Sequence, residues 1–220
     1  MRIAVIAGTL VDTAMGVDYI NSRGGDFEAV YLPVSESCDD QIRFQYGSDD
    51  AKRRRIDEIF LPAIEEGIRH FFIYCNSLSG AFDFDAYESD ISERTGESIH
   101  IYTPLQVYRQ IGTRYSRIGV MTANNLSACS IEKTIMSVSN IYVIGTGNMA
   151  VVSAIESGMP PEDIVSRFRL ADLAKYMEAC GCEALILGCT HFPYFKKELA
   201  EVCSLPLIDP AEIGRASCRE

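Results

Sequence analysis

Two cysteines in this sequence stand in the same kind of place. Leu187-Gly188-Cys189-Thr190-His191-Phe192-Pro193 follows the apolar run Ala184 to Leu187, and Cys75-Asn76-Ser77 follows Phe71-Phe72-Ile73-Tyr74. Each stretch reads as a buried strand that delivers a thiol to its carboxyl end, where open α/β sheets place their ligands. If both thiols open into one site, a carbon acid held between them has a sulfur on each face. A thiolate on one face removes a proton and a thiol on the other returns one, which is general acid–base catalysis with inversion at carbon. A thiol suits this work because its pKa of about 8.5 lies near working pH and falls in polar or electropositive surroundings.

The neighbours of both thiols fit that chemistry. Asn76, Ser77 and Thr190 offer amide and hydroxyl groups for a carboxylate or an ammonium. His191, close behind Cys189, is placed to poise that thiol's proton. Asp12, beyond the first strand, is placed to poise Cys75 or to hold a substrate ammonium. Each feature also has a plainer reading. A single free cysteine is more often a small buried apolar group. Asp12-Thr13 or Thr190 serve equally as helix caps, and His191 as a hydrogen-bonded histidine at a helix start. Two cysteines at equivalent strand ends, both in polar small-residue loops, carry the reading of a shared site.

The elements that must position these groups alternate along the chain. Residues 2–8 form a first buried strand, and the loop from Thr9 to Gly16 leads into a helix from about Val17. Phe27 to Leu32 is a second strand, followed by a polar loop holding Cys38 and Phe44-Gln45-Tyr46-Gly47. From about Asp50 to His70, Ile56, Ile59, Phe60, Ala63, Ile64 and Ile68 fall on one stripe at helical spacing. The basic run Lys52 to Arg55 is solvated surface of that helix, and Pro62 is expected to kink or break it. The first thiol strand follows. Phe82 to Glu97 reads as helix plus loop, Glu97 to Thr103 as a strand, and Leu105 to Ile111 as a helix.

The second half repeats the plan. Arg117 to Thr122 is a strand ending in the polar loop Ala123-Asn124-Asn125-Leu126-Ser127. A helix from Ala128 to Ser137 and a strand from Ile141 to Ile144 follow. Gly145-Thr146-Gly147 comes next and lacks the third glycine of a dinucleotide fingerprint. Pro160-Pro161-Glu162-Asp163 opens a helix with proline in the first turn and acids at its positive end, its buried stripe being Ile164, Phe168, Leu173 and Met177. The alternation of strands and helices predicts a parallel α/β architecture. It predicts two lobes related by a pseudo-repeat: residues 1–100 together with about 208–220, and residues 101–207.

Composition narrows the function. The chain has 220 residues, 47% hydrophobic and 23% charged, ordinary for a globular protein. Its net charge of −11, with no basic cluster beyond Lys52 to Arg55, argues against a nucleic-acid surface. No apolar run approaches the ~18–20 residues of a membrane span. The amino-terminal apolar stretch is too short for a signal peptide and lacks a convincing cleavage site, so a cytoplasmic protein is expected. Eight cysteines in such a protein do not imply a disulfide scaffold. Cys180-Gly181-Cys182 has no second pair at zinc-finger spacing, and no metal is expected.

Four stretches together resemble the aspartate/glutamate racemase superfamily, closest in motif to glutamate racemase. Cys75-Asn76-Ser77 is similar to the family's Cys-Asn-Thr/Ser motif for the first base. Leu187 to Pro193 is similar to its second-base motif, with His191 in the auxiliary position. Val11-Asp12-Thr13-Ala14-Met15-Gly16 resembles the early Asp-Ser-Gly-x-Gly loop, with Thr13 in place of Ser. Phe44-Gln45-Tyr46-Gly47 resembles a Pro-Tyr-Gly stretch whose backbone helps bind the substrate carboxylate. The resemblance implies two Rossmann-like lobes with the active site in the cleft between them. It implies no cofactor, a two-base mechanism through Cys75 and Cys189 assisted by Asp12 and His191, and interconversion of the L and D forms of glutamate or aspartate. Thr13, Tyr46, Gly47, Asn76, Ser77 and Thr190 would then contact the substrate. Where family members often carry Ala-Thr-x-x-Thr, this chain has Thr122-Ala123-Asn124-Asn125-Leu126, which passes that contact to Asn124 and Asn125. The expected partner is a small acidic amino acid, with neither nucleic acid nor membrane, and a homodimer is left open.

Other readings stay open beside this one: a hydantoin-type racemase, an isomerase or a decarboxylase on the same fold, thiol redox chemistry at Cys180 and Cys182, and an amino-acid-binding module without activity. Both thiols being present favours the racemase over the decarboxylase and the inactive module. The pair Thr190-His191 favours it over the hydantoin type.

Overall fold

The computed structural model describes residues 1–210. The chain divides into two units, Met1–Pro104 and a second that begins at Leu105. The first contains β1 (Arg2–Ala7), α1 (Leu10–Asn21), β2 (Glu28–Pro33), α2 (Cys38–Tyr46), α3 (Asp49–Glu65), β3 (His70–Ile73), α4 (Asn76–Ala81), α5 (Phe84–Thr95) and β4 (His100–Tyr102). The second contains β5 (Arg117–Thr122), α7 (Asn125–Met136), β6 (Tyr142–Gly147), α8 (Met149–Glu156), α9 (Pro161–Arg167), α10 (Leu170–Ala179), β7 (Leu185–Leu187), a 3-10 turn (Phe192–Phe195), α11 (Lys196–Ala200) and β8 (Leu207–Ile208). Helix α6 (Pro104–Ile111) stands at the boundary.

Each unit holds one four-stranded sheet, in the orders β2-β1-β3-β4 and β6-β5-β7-β8, with every neighbouring pair parallel. The expected parallel α/β architecture is therefore present in both halves. The registers repeat as well. Ile6 pairs with Ile73 in the first sheet and Met121 with Leu187 in the second. One residue further on, Tyr74 N donates to Ile6 O at 2.8 Å and Gly188 N donates to Met121 O at 2.7 Å. In both sheets the strand order reverses beside the first strand, the switch point at which such sheets open a crevice at their carboxyl ends.

Burial follows from covering both faces. In the second sheet Leu185 and Leu187 face one apolar cluster, with Met121, Val151, Ile164, Met177 and Phe195. Ile186 faces the other, with Ile118, Val120, Ile131 and Ile208. A strand enclosed on both sides reads as an unbroken apolar run, which is the pattern of Ala184 to Leu187. In the first unit α3 buries Ile56, Ile59, Phe60, Ala63 and Ile64, and Phe60 stacks on Phe71 with ring centroids 4.2 Å apart. Such an aromatic pair contributes roughly 0.5–1.5 kcal/mol beyond its buried area. Helix α3 runs through Pro62 and ends at Glu65, so the proline marks the last turn rather than a break. No helix among the described residues is long and apolar enough to cross a membrane.

Several expectations are corrected by local physics. The stretch from Thr9 to Gly16 is not a loop. Thr9 caps α1, and Asp12 completes a capping box by accepting the Thr9 backbone N–H, which starts the helix at Leu10. Helix α2 replaces the polar loop expected around Cys38 to Gly47, with Ser37 as its cap. Asn76 to Ala81 and Met149 to Glu156 are helices, and Gly145-Thr146-Gly147 is the end of β6. The helix expected from Pro160 onward breaks at Arg169, whose φ of 53° is left-handed. Its apolar stripe steps by four, five and four residues, and the break absorbs the extra one. Finally, Leu207 and Ile208 pair with Leu185 and Ile186, so at Ile208 the chain is still in the second sheet rather than returning to the first lobe. The rest of that expected return, residues 211–220, lies outside the described residues.

Candidate active site

In the second unit the carboxyl end of β7 is built around close backbone packing. A Cβ on Gly188 would stand 2.9 Å from Met121 O, 2.8 Å from Ile131 Cδ1 and 3.0 Å from Thr122 Cγ2. Only glycine lets the chain leave β7 so close to β5, and this fixes where Cys189 emerges. Phe192 N donates back to Cys189 O at 3.0 Å and Tyr194 N to His191 O at 3.1 Å. The buried rings of Phe192 and Phe195 anchor this turn in the core.

That turn places Cys189 Sγ 3.7 Å from His191 Nδ1, within sulfur hydrogen-bond reach. The far side of the ring, His191 Nε2, lies 3.2 Å from Glu156 Oε1. Thiol, imidazole and carboxylate thus form a chain within one unit, with Cys189 and His191 both buried. A carboxylate at Nε2 favours the proton on that nitrogen, which turns the lone pair of the neutral ring, at Nδ1, toward the thiol. The same carboxylate favours the imidazolium that forms if Cys189 gives up its proton. Glu156, the last residue of α8, was not foreseen from the sequence, because α8 itself was not. Tyr108, fully buried, has its ionisation pushed well above the ordinary range, first by burial and then by the negative charges of Asp209 and of a Cys189 thiolate. It is a neutral phenol behind the thiol.

The first unit repeats the arrangement with a different partner. Cys75 lies at the register position of Cys189, the second residue beyond its strand, and is likewise buried. Its Sγ lies 3.2 Å from Ser77 Oγ, so serine occupies the place that histidine takes in the second unit. Ser79 Oγ donates to Cys75 O at 2.7 Å, which ties the thiol's backbone to the first turn of α4. Asn76 is buried at the start of that helix. Thr190 is half-buried between Cys189 and His191.

Other expected site residues also make bonds that hold their elements in place. The Asp12 carboxylate accepts from Gly8 N at 3.2 Å, Thr9 N at 2.6 Å and Thr9 Oγ1 at 2.8 Å. It stands at the carboxyl end of β1, and these bonds also lock the α1 cap. Thr13 is fully buried and its hydroxyl donates to Thr9 O at 2.6 Å. Asn124 caps α7, its Oδ1 accepting from Ser127 N at 2.9 Å and Ser127 Oγ at 3.0 Å. Asn125 Oδ1 accepts from Gly147 N at 3.0 Å, at a point where a Cβ on Gly147 would stand 2.2 Å from the Asn124 carbonyl carbon. The glycine pair in β6 therefore serves close packing against the start of α7. Tyr46 ends α2 and is 70% exposed, and Gly47 closes that helix by donating its N–H to Phe44 O.

The comparisons with known proteins agree with this architecture. A family model described as Asp/Glu/hydantoin racemase matches residues 99–218. The glutamate racemase of Acidothermus cellulolyticus is 26% identical over 167 residues, covering 74% of this chain and 61% of that protein. The glutamate racemase of Pseudomonas aeruginosa is 28% identical over 170 residues, with the same two coverages, 74% and 61%. The chain thus spans 61% of the length of these curated relatives. Among solved structures, a glutamate racemase from Francisella tularensis in complex with D-glutamate superposes with a TM-score of 0.74 at 20% identity, covering 99% of this chain and 78% of that one. An allantoin racemase from Klebsiella pneumoniae shares the fold with a TM-score of 0.62 at 15% identity, over 99% and 86% of the two chains. By the match of more than half its length, the chain belongs to the Asp/Glu/hydantoin racemase family.

Proposed function

We propose that the protein interconverts the L and D forms of an acidic amino acid, glutamate or aspartate, by a cofactor-independent two-base mechanism. The observation that carries this reading is the Cys189–His191–Glu156 chain at the end of β7, with a second buried thiol, Cys75, at the same register position of the first sheet. Glutamate racemase relatives in sequence support the substrate class.

Each turnover moves one proton off the α-carbon and one onto it. Starting from one enantiomer, the Cys189 thiolate takes the α-proton and the Cys75 thiol delivers its proton to the opposite face. Starting from the other, the roles exchange. His191 holds or returns the Cys189 proton, and Glu156 steadies the imidazolium that results. The Ser77 hydroxyl hydrogen-bonds to a Cys75 thiolate and keeps its own proton. Asn76, Ser77 and Thr190 bind the substrate's polar groups.

Incubation of L-glutamate or L-aspartate with the protein in D2O, without added cofactor, tests the reading. It predicts α-deuteration together with loss of optical rotation. A protein that exchanges the α-proton of neither acid contradicts it.

A further inference from the structure

Among the described residues, one buried side-chain polar atom has no hydrogen-bond partner: Nε2 of Gln41, on α2. The residue is 6% exposed. Its other amide atom, Oε1, accepts from Ser35 Oγ at 3.4 Å, which orients the head and leaves the NH2 group turned away from Ser35. That head presses on Gly8, the first residue beyond β1: a Cβ there would stand 2.7 Å from Gln41 Cδ and 3.0 Å from Nε2. Gly8 N itself donates to Asp12 Oδ2. The orphaned donor therefore lies over the carboxyl end of β1, at the head of α1 and on the edge of the sheet that also carries Cys75. This is the edge at which open α/β sheets take their ligands.

Packing alone does not account for the residue. A buried donor without an acceptor is destabilising, and folded proteins leave few of them. Methionine would fill nearly the same volume without the orphaned nitrogen, losing only the long bond from Ser35 Oγ. A donor kept at that disadvantage, at a ligand-binding edge, is explained if its acceptor arrives with a ligand. Because the free atom is the amide nitrogen, the acceptor is an oxygen and not an ammonium.

We infer that Gln41 is a substrate-binding residue whose Nε2 donates to a carboxylate oxygen of the acidic amino acid, an inference that rests on the substrate class proposed above. The test uses the whole chain, with L-glutamate and L-aspartate as probes, in wild type, Gln41→Met and Gln41→Glu. Dissociation constants by calorimetry and thermal midpoints without ligand are measured. The inference expects Gln41→Met to melt close to wild type yet bind its preferred acid about 10–100-fold more weakly, the range for a lost hydrogen bond to a charged group. It expects Gln41→Glu to lose binding through carboxylate repulsion, and KM to rise more than kcat falls. Gln41→Asn, which withdraws the donor by one methylene, repeats the binding test if Gln41→Met does not fold. An unchanged dissociation constant in Gln41→Met or Gln41→Asn overturns the inference, as does tighter binding by Gln41→Glu, which would make the residue an ammonium acceptor. Wild type that binds neither acid also overturns it. Wild type that binds an acid without α-deuteration overturns only the racemase reading, and the Gln41 comparison then still decides by binding.

Discussion

His191 Nε2 lies 3.2 Å from Glu156 Oε1, and that contact decides which ring nitrogen faces Cys189. Glu156→Gln keeps the shape and a hydrogen bond but removes the charge that favours an imidazolium. The exchange rate is expected to fall roughly 10–100-fold, short of the 10²–10⁴ that accompanies loss of an acid–base group itself. Steady-state rates from both enantiomers check this, and an unchanged rate would remove Glu156 from the mechanism.

Gly188 makes the position of Cys189 depend on a missing Cβ. Gly188→Ala has to push β7 away from Met121 O and Ile131, at about 1–3 kcal/mol of stability. The larger effect is on the reaction, because a displacement of the order of 1 Å in a reacting group lowers rates by about 10². Urea unfolding and exchange kinetics on the same variant separate the two effects. An alanine variant with wild-type exchange would show that the thiol's placement does not depend on this contact.

Asn124 is the cap of α7, so Asn124→Ala is expected to destabilise the protein by about 1 kcal/mol and Asn124→Asp to restore most of the loss. Equal urea midpoints for Asn124→Ala and wild type would assign its amide to another task.

Stability also carries a pH signature at Asp57. Burial alone would raise this carboxyl, but hydrogen bonds from Arg94 and Tyr87 and the charges of Arg94 and Arg53 outweigh it and leave its pKa lowered. A carboxyl lowered by folding stabilises at pH values above its unfolded pKa, about 3.9, and the contribution disappears as pH falls through the folded value. Wild type should therefore exceed Asp57→Asn in urea midpoint at pH 7, with the gap closing below about pH 4. A gap that persists at pH 2 would contradict this.

The strands that matter were legible in the sequence because burial on both faces writes an unbroken apolar run, as in Ile3 to Ala7, Phe71 to Tyr74 and Ala184 to Leu187. The equivalence of Cys75 and Cys189 followed from that, and the register of the two sheets agrees with it. The site's supporting residues were harder to read. Thr9 looks like a loop residue, and Asp12 like the cap of a later helix, until their mutual bonds start α1 at Leu10. Gly145 and Gly147 carry no strand signal, although they are strand residues pressed against a helix, and no helix was expected between them and Pro160, so α8 and with it Glu156 went unseen. Gln41 carries no sequence signal at all, since its significance is a hydrogen bond it lacks.

The two-base account is tested most directly by following α-proton exchange in D2O from each enantiomer of glutamate and aspartate in wild type, Cys75→Ser and Cys189→Ser. The account predicts deuteration with inversion in wild type and loss of net racemisation in both variants. Undiminished racemisation in either serine variant would contradict it.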